Sequence, residues 1–522
     1  MFRALRNLAR LLTIARTLAR HDALAPLSSV IEGAGLAPAI IFTARLITGS
    51  PSRALARRRP GHRLAAALTE LGPVFIKLGQ LLSTRADLLG EQVAEDLSAL
   101  QDRLPPFPAA AARAEIESSF GQPIAELFAG FDDTPVSAAS IAQVHYATVA
   151  QQAAIGEVAV KVLRPGIEQA FDKDIDLMRW LAELVERTQP KLRRLKATEV
   201  VETFAETVRI EMDLRLEAAA AAELAENFAG DPTYRVPAVD WRRTSRRVLT
   251  LARLTGIPMD DRDALLKAGH VIEAILVKAA AIFFNQVFRD GYFHGDQHPG
   301  NMFVDGDGNI GAVDFGIMGR LDRRTRYYLA DMLLAFLDRD YGRVADVHLA
   351  AGYVPLHQSR DNFAQACRSI GEPIFGQPLE KISFARMLAQ LFQIGAAFEM
   401  EVQPQLLLLQ KNMLMAEGVS RLLNPDLNIW TLARPLIEEW MRDNRGPEAR
   451  LRDASAEFAR VVERLPALFT DLERVASRLA DGGLRLHPDT LSQLRPGRSA
   501  GQWLLWAIGL AALLLAGLAL LR

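Results

Sequence analysis

The sequence predicts an α+β fold whose strands gather in one part of the chain while helices fill the rest. Three observations predict it. Helical periodicity runs from Arg63 to Gln101, resumes from Ala109 to Phe120, and dominates again from Arg262 onward. Runs rich in β-branched residues cluster between Pro135 and Leu254, as "PVSAASIAQVHYATV", "GEVAVKVL", "VPAVDW" and "RRVLTLARL". Two shorter strand signals, "NMFVD" and "IGAVDF", interrupt the second helical region. With 522 residues, half of them apolar, the chain can hold two or three domains. A net charge of −1 gives no electrostatic bias toward nucleic acid, and the single cysteine, Cys367, excludes an intramolecular disulfide.

The N-terminal stretch "MFRALRNLARLLTIARTLAR" carries no acidic residue before Asp22. On a helical wheel Leu5, Leu8, Leu12 and Ala15 share one face, opposite Arg3, Arg6 and Arg10. Such a helix suits a membrane surface, an organelle transit peptide, or the first helix of a bundle with a solvated Arg face. The following "LAPAIIFTARLI" is too interrupted by Pro and Arg to span a bilayer, and is expected to pack on protein or lipid. Residues 1–62 therefore group as membrane-associated helices and 63–125 as a helical extension, broken by "LPPFP". A strand-bearing segment covers 126–258, with a helical insertion from Asp172 to Phe228 between its strand pairs. Helices fill 259–445, and further helices ending in the hinge "PGRSAG" fill 446–500.

The last segment, 503–521, reads as a transmembrane anchor. Trp503 to Leu521 contains no charge, and as a helix it would span about 28 Å against a hydrocarbon core of roughly 30 Å. Two Trp near its start fit the interfacial belt. Arg495 and Arg498 before it, with only Arg522 after, place the large domain on the cytoplasmic side of a single crossing.

Chemistry concentrates in "GYFHGDQHPGNMFVDGDGNIGAVDFG", Gly291 to Gly316. Phosphoryl transfer needs a carboxylate near the acceptor, an amide and a second carboxylate on divalent metal, and a cation on the donor phosphates. The protein-kinase pattern places the metal-binding Asn five residues after the catalytic Asp, with Asp-Phe-Gly downstream. Asp296 and Asn301 have that spacing, and Asp314-Phe315-Gly316 follows across one hairpin with "DGDGN" at its tip. Asp296 is thus the expected base or water-orienting group, and Asn301 and Asp314 the expected Mg2+ ligands. Pro299 and the neighbouring glycines argue against a helical His-x-x-x-His zinc site at His294 and His298. The tip "DGDGN" lacks the bidentate Glu of a calcium loop and reads as a turn.

The donor-phosphate cation is Lys161, which closes the strand motif "VAVK". Its partner should come from "RIEMDLRLEAAAAAEL", where Glu211, Asp213 and Glu217 are candidates; Asp213 and Glu217 share a helical face, and Glu217 is favoured. No G-x-G-x-x-G precedes the lysine strand. Val136, Ser137, Ala138, Ala139, Ser140, Ile141, Ala142, Gln143 and Val144 stand in its place as the expected ATP-covering loop. Alanine forbids the positive φ angles that glycine permits, so this loop should be stiffer.

Together these residues resemble the UbiB family of atypical, kinase-like proteins, whose eukaryotic members act in coenzyme Q synthesis. The likeness runs from about Leu71 to Gly319 and rests on "KLGQ" (Lys77 to Gln80), "SAASIAQVH", "EMD" (Glu211 to Asp213) and "HGDQHPGN". The resemblance implies a bilobal protein-kinase-like fold: a small β-containing N-lobe, a helical C-lobe, and an added helical layer folded over the site. It implies that Lys77 points at the nucleotide and meets Glu211, leaving Glu217 for Lys161, and that the layer excludes a protein substrate. The implied activity is an atypical kinase or ATPase using ATP and Mg2+ in ubiquinone biosynthesis. A lipid or small-molecule phosphotransferase and a nucleotide-switched, non-catalytic scaffold stand as alternatives. Expected partners are ubiquinone-biosynthesis enzymes, prenylated phenolic intermediates, membrane lipid and a second copy of the chain; nucleic acid is not among them. The expected location is a bacterial inner membrane in preference to a mitochondrial one.

Overall fold

The computed structural model describes residues 2–23, 58–83, 91–98, 100, 104–149, 156–188, 196–373, 394–395, 397–400, 403–425 and 429–445. The chain divides into two compact units, residues 1–441 and 442–522. The helices and hinge expected at 446–500, the anchor expected at 503–521 and the segment "LAPAIIFTARLI" lie outside the described residues. No described helix is long and apolar enough to cross a membrane.

Helix α1 (Phe2–Arg20) docks by the face that carries Arg10. That guanidinium makes two 2.7 Å bonds to Asp174 and a third, of 3.2 Å, to the Leu71 carbonyl, while Leu12 stays exposed. At Arg10, then, the Arg face is turned inward, the reverse of a bundle helix with solvated arginines. The expected helical layer follows as α2 (Pro60–Leu71), α3 (Pro73–Ser83) and α4 (Glu91–Ser98). A proline opens both α2 and α3, where its missing N–H costs nothing. Leu64, Leu68, Val74, Phe75, Ile76 and Leu97 weld the three together. Gly79 lets α3 approach closely, since a Cβ there would lie 2.7 Å from both Leu68 and Leu100. Helix α5 (Ala109–Phe120) ends on Gly121 in the left-handed region (φ 66°), as a helix stop of this kind requires.

Strands β1 (Gly130–Phe131), β2 (Ser137–Ala138), β3 (Ala142–Thr148) and β4 (Glu157–Leu163) lead into α6 (Ile167–Thr188), α7 (Ala197–Glu211) and α8 (Leu214–Asn227). Then come β5 (Tyr234–Arg235) and β6 (Val248–Ala252). The antiparallel sheet of the first lobe has the order β1-β3-β4-β6, with β2 also paired to β3. Its alternation separates two cores. Val158, Val160, Val162 and Val248 pack toward α5, whereas Leu163, Leu249 and Leu251 join the core shared with the helical layer. Lys161 stands opposite Val144 and Leu249 in register, hence on the layer side of the sheet.

Two expectations change here. "VPAVDW" forms no strand beyond one bridge at Val239: Pro237 has no N–H to give, and the Asp240 carboxylate caps a 3-10 turn at Trp241–Arg243. The run "RIEMDLRLEAAAAAEL" is two helices. Asp213 leaves helical geometry and accepts from the Arg215 N–H, capping α8, so Asp213 and Glu217 do not share one helical face.

The second lobe holds β7 (Ile257–Pro258), α9 (Ile272–Phe284), β8 (Tyr292–His294), β9 (Met302–Val304), β10 (Ile310–Ala312) and β11 (Met318–Arg320). Five further helices are α10 (Arg323–Leu337), α11 (Tyr341–Ala351), α12 (Arg360–Gly371), α13 (Pro404–Leu423) and α14 (Ile429–Arg445). The expected hairpin is present as β9–β10, with Ile310 opposite Val304. Its tip is a turn, because the Asp305 carboxylate accepts from the N–H groups of Asp307 and Asn309 and from Arg235. A second pair, β8 with β11, flanks it and was not expected. Phe283, Phe288, Phe293, Leu409 and Ile437 form the core beneath β8.

Candidate active site

The site is assembled from both lobes. From the sheet, Lys161 reaches Glu217 of α8 at 2.8 and 2.9 Å and Asp314 of the Asp-Phe-Gly turn at 2.9 Å. Burial pushes the Glu217 carboxyl up to about 7 against the pull of Lys161. The Lys161 cation holds the Asp314 carboxyl well below the usual range, with a smaller contribution from Lys77. Burial works against the Lys161 ammonium, but the charges of Asp314 and Glu217 outweigh it and raise its pKa. Asp314 sits at φ 64°, a left-handed conformation uncommon outside glycine that aims its carboxylate back at the lysine.

His294 organises the catalytic loop. It is buried, and burial lowers its pKa toward the neutral form. Its Nδ1 accepts from the Asp296 N–H at 3.0 Å, so Nε2 carries the proton and donates to the Val313 carbonyl at 3.2 Å. One ring thereby joins the backbone of Asp296 to the residue before Asp314. Asn301 donates from its side chain to the Asp296 carbonyl at 3.2 Å, leaving its own side-chain oxygen for another partner. Gly295 is required by crowding: a Cβ would lie 2.7 Å from Ile317 Cγ2 and 2.8 Å from Leu408 Cδ2.

The remaining expected residues divide. Lys77 of α3 pairs with Glu211 at 2.8 Å, both largely buried, as the resemblance implied. Asp213 instead is gripped by Arg215 at 2.6 and 2.9 Å, which holds its carboxyl low. Gln80 lies one turn beyond Lys77, and its side chain makes no hydrogen bond among the described residues. In the alanine-rich loop Val136 and Ser137 are exposed and Ala138, Ala139 and Val144 half-buried, near Lys161 through the β3–β4 register. No residue of this loop has a positive φ. Ser140 is buried, and Ile141 and Ala142 sink into the core. Gln143 is fully buried and clips the Pro-rich segment by both main-chain groups of Phe107. For a nucleotide those last three offer backbone only.

Two residues in α13 escaped the sequence reading. Lys411 Nζ lies 2.8 Å from Asp296 Oδ1. Its neighbour Asn412, fully buried, donates to the His294 carbonyl at 2.5 Å and accepts from the Gln297 N–H at 3.3 Å. Behind them Gln286, in a π-helical turn at Asn285–Asp290, accepts from the His294 N–H and the Gln297 side chain. A signal existed: "QKN" interrupts the apolar run between "LLLL" and "MLM".

The donor set suits a hard cation, since Asn301 and Asp314 offer oxygen only. The arrangement sets one cation, Lys161, on a frame that also carries the Asp314 and Asp296 carboxylates and the Asn301 amide.

Comparison with known proteins places the chain in a family. Residues 99–348 match the ABC1 atypical kinase-like domain, and residues 367–428 match the UbiB helical domain. A "Probable protein kinase UbiB" of Marinobacter nauticus is 47% identical over 412 residues, covering 78% of this chain and 75% of that protein. Its namesake in Xanthomonas axonopodis pv. citri is 44% identical over 423 residues, 80% of this chain and 76% of the relative. A solved complex of Mycobacterium tuberculosis Rv3197 with erythromycin aligns over 72% of this chain and 95% of that one, at 25% identity and a TM-score of 0.49. The mixed helix and sheet content follows the kinase-like pattern in two lobes. On identity and coverage with the curated relatives, this chain belongs to the UbiB family of atypical kinase-like proteins.

Proposed function

We propose that this chain is an atypical kinase or ATPase that binds Mg-ATP and supports ubiquinone biosynthesis at a membrane. The observation that carries the reading is the three-way pairing of Lys161 with Glu217 and Asp314, set on the same frame as Asp296 and Asn301. Bound ATP would supply the transferable phosphoryl group, and magnesium would neutralise its charge. The protein's own residues then have separate tasks. Lys161 would exchange a carboxylate for donor phosphates, Asn301 and Asp314 would hold the metal, and Asp296 would orient the acceptor and take its proton. Lys77 adds a second cation on the covered side, where it neutralises charge near Asp314.

The helical layer supports a small acceptor. Lys77 of that layer and Glu211 at the end of α7 are largely buried against each other, so a folded protein substrate would have to displace packed helices. We therefore favour water or a membrane-borne phenolic intermediate as acceptor. A bacterial inner membrane, with the catalytic domain cytoplasmic, is the proposed location; quinone-synthesis enzymes and membrane lipid are the proposed partners. The test incubates purified protein with labelled ATP, magnesium and membranes containing prenylated phenols. Label is expected as free phosphate or on the phenol. Label on neither, with ATP intact, overturns the catalytic reading and leaves a nucleotide-switched scaffold.

A further inference from the structure

We propose that Lys411 is the residue that positions Asp296. The helical region behind the kinase-like domain thus completes the reaction site. The inference rests on the proposed role of Asp296 and assigns that carboxylate a partner from outside the catalytic loop.

The loop itself carries no Lys or Arg: Gln297, His298, Pro299 and Gly300 fill the interval between Asp296 and Asn301. His298 turns its Nδ1 to the Gly300 N–H and caps the turn. The cation arrives from α13, where Lys411 Nζ holds Asp296 Oδ1 at 2.8 Å; Asp296 Oδ2 has no partner among the described residues. One oxygen is therefore fixed and the other stays open to an acceptor hydroxyl or water. The helix is indexed to the loop at three successive points. Leu408 abuts Gly295, Lys411 takes the Asp296 carboxylate, and Asn412 binds main-chain groups of His294 and Gln297 on either side of it. Such indexing controls the angle of the base, and small misplacement of a reacting group is costly in rate.

A plain surface ion pair is the competing account. Lys411 and Asp296 side chains are 42% and 32% exposed, so the pair adds little to stability. The two accounts separate in kinetics. The full-length protein is compared with Lys411→Met, Lys411→Arg, Asp296→Asn and the Asp296→Asn/Lys411→Met double variant, by ATP turnover, Mg-ATP affinity and unfolding midpoint. We expect Lys411→Met to lower kcat by roughly 10- to 100-fold, with KM changed less than about threefold. Lys411→Arg should recover part of the loss, and the double variant should be no slower than Asp296→Asn alone. Wild-type kcat in Lys411→Met, a change confined to KM, or additive losses in the double variant would overturn the proposal. Should Lys411→Met unfold, Lys411→Gln replaces it, with the same outcomes deciding. An Asp296→Asn protein as fast as wild type overturns instead the role given to Asp296, and is recognised by that result alone.

Discussion

Lys161 and Asp314 stand 153 positions apart in the chain, and their side chains meet at 2.9 Å. Because the same ammonium also holds Glu217, one cation ties β4, α8 and the Asp-Phe-Gly turn together. Replacing Asp314 with Asn keeps the shape but removes the charge. Mg-dependent ATP binding should weaken by roughly 30-fold or more, the scale for losing one partner of a well-placed charge pair. Calorimetry with and without magnesium measures it; an unchanged Kd would sink the assignment.

His294 sets an acid limit. Its folded pKa lies below its ordinary value of about 6.5, so the stability it contributes is present above that pH and is lost as pH falls through the folded value. Glu217, raised to about 7 by burial, contributes in the opposite direction, with stability lost as pH rises through its folded value. Comparing wild type with His294→Gln isolates the histidine, since Glu217 is common to both. The stability gap between them should narrow from pH 8 to pH 5, read from denaturant midpoints. A widening gap would contradict the neutral, Nε2-protonated ring.

Gly79 is a packing requirement. Adding one methyl puts a carbon 2.7 Å from the Cδ1 atoms of Leu68 and Leu100, so both side chains must shift within the core. Gly79→Ala should cost about 1–3 kcal/mol in unfolding free energy. A neutral substitution, in urea titration, would mean that the layer packs less tightly than described.

Asn412→Leu removes a partner from two main-chain groups, the His294 carbonyl and the Gln297 N–H. A buried group left without a hydrogen bond costs about 1–3 kcal/mol. The variant should lose about 2–5 kcal/mol of stability, with turnover falling further than nucleotide affinity. Equal losses in both would place Asn412 outside the loop's control.

What could be read from the sequence follows from distance along the chain. Asp296, Asn301 and Asp314 lie within one loop and hairpin, where spacing alone fixes their relation. Lys161 is marked by its strand motif. Glu211 and Asp213 were recognisable as a motif, but the helix break between them was not, because a cap turns on one hydrogen bond to Arg215. Gln143 looks like any polar loop residue until Phe107 is brought against it. Lys411 and Asn412 meet the loop from more than a hundred residues away, and helical periodicity says only that their helix is apolar. Which polar residue lands on Asp296 depends on how α13 crosses β8 and β11, and no local pattern encodes that crossing.

The span from Lys77 to Asn412 has a consequence for biosynthesis. On a ribosome the sheet, its lysine and the Asp-Phe-Gly turn emerge well before α13, so the nascent chain passes through a stage in which the loop lacks its contacts to Lys411 and Asn412. Those contacts arrive with one of the last described helices to be translated, and a chain truncated after residue 348 lacks them.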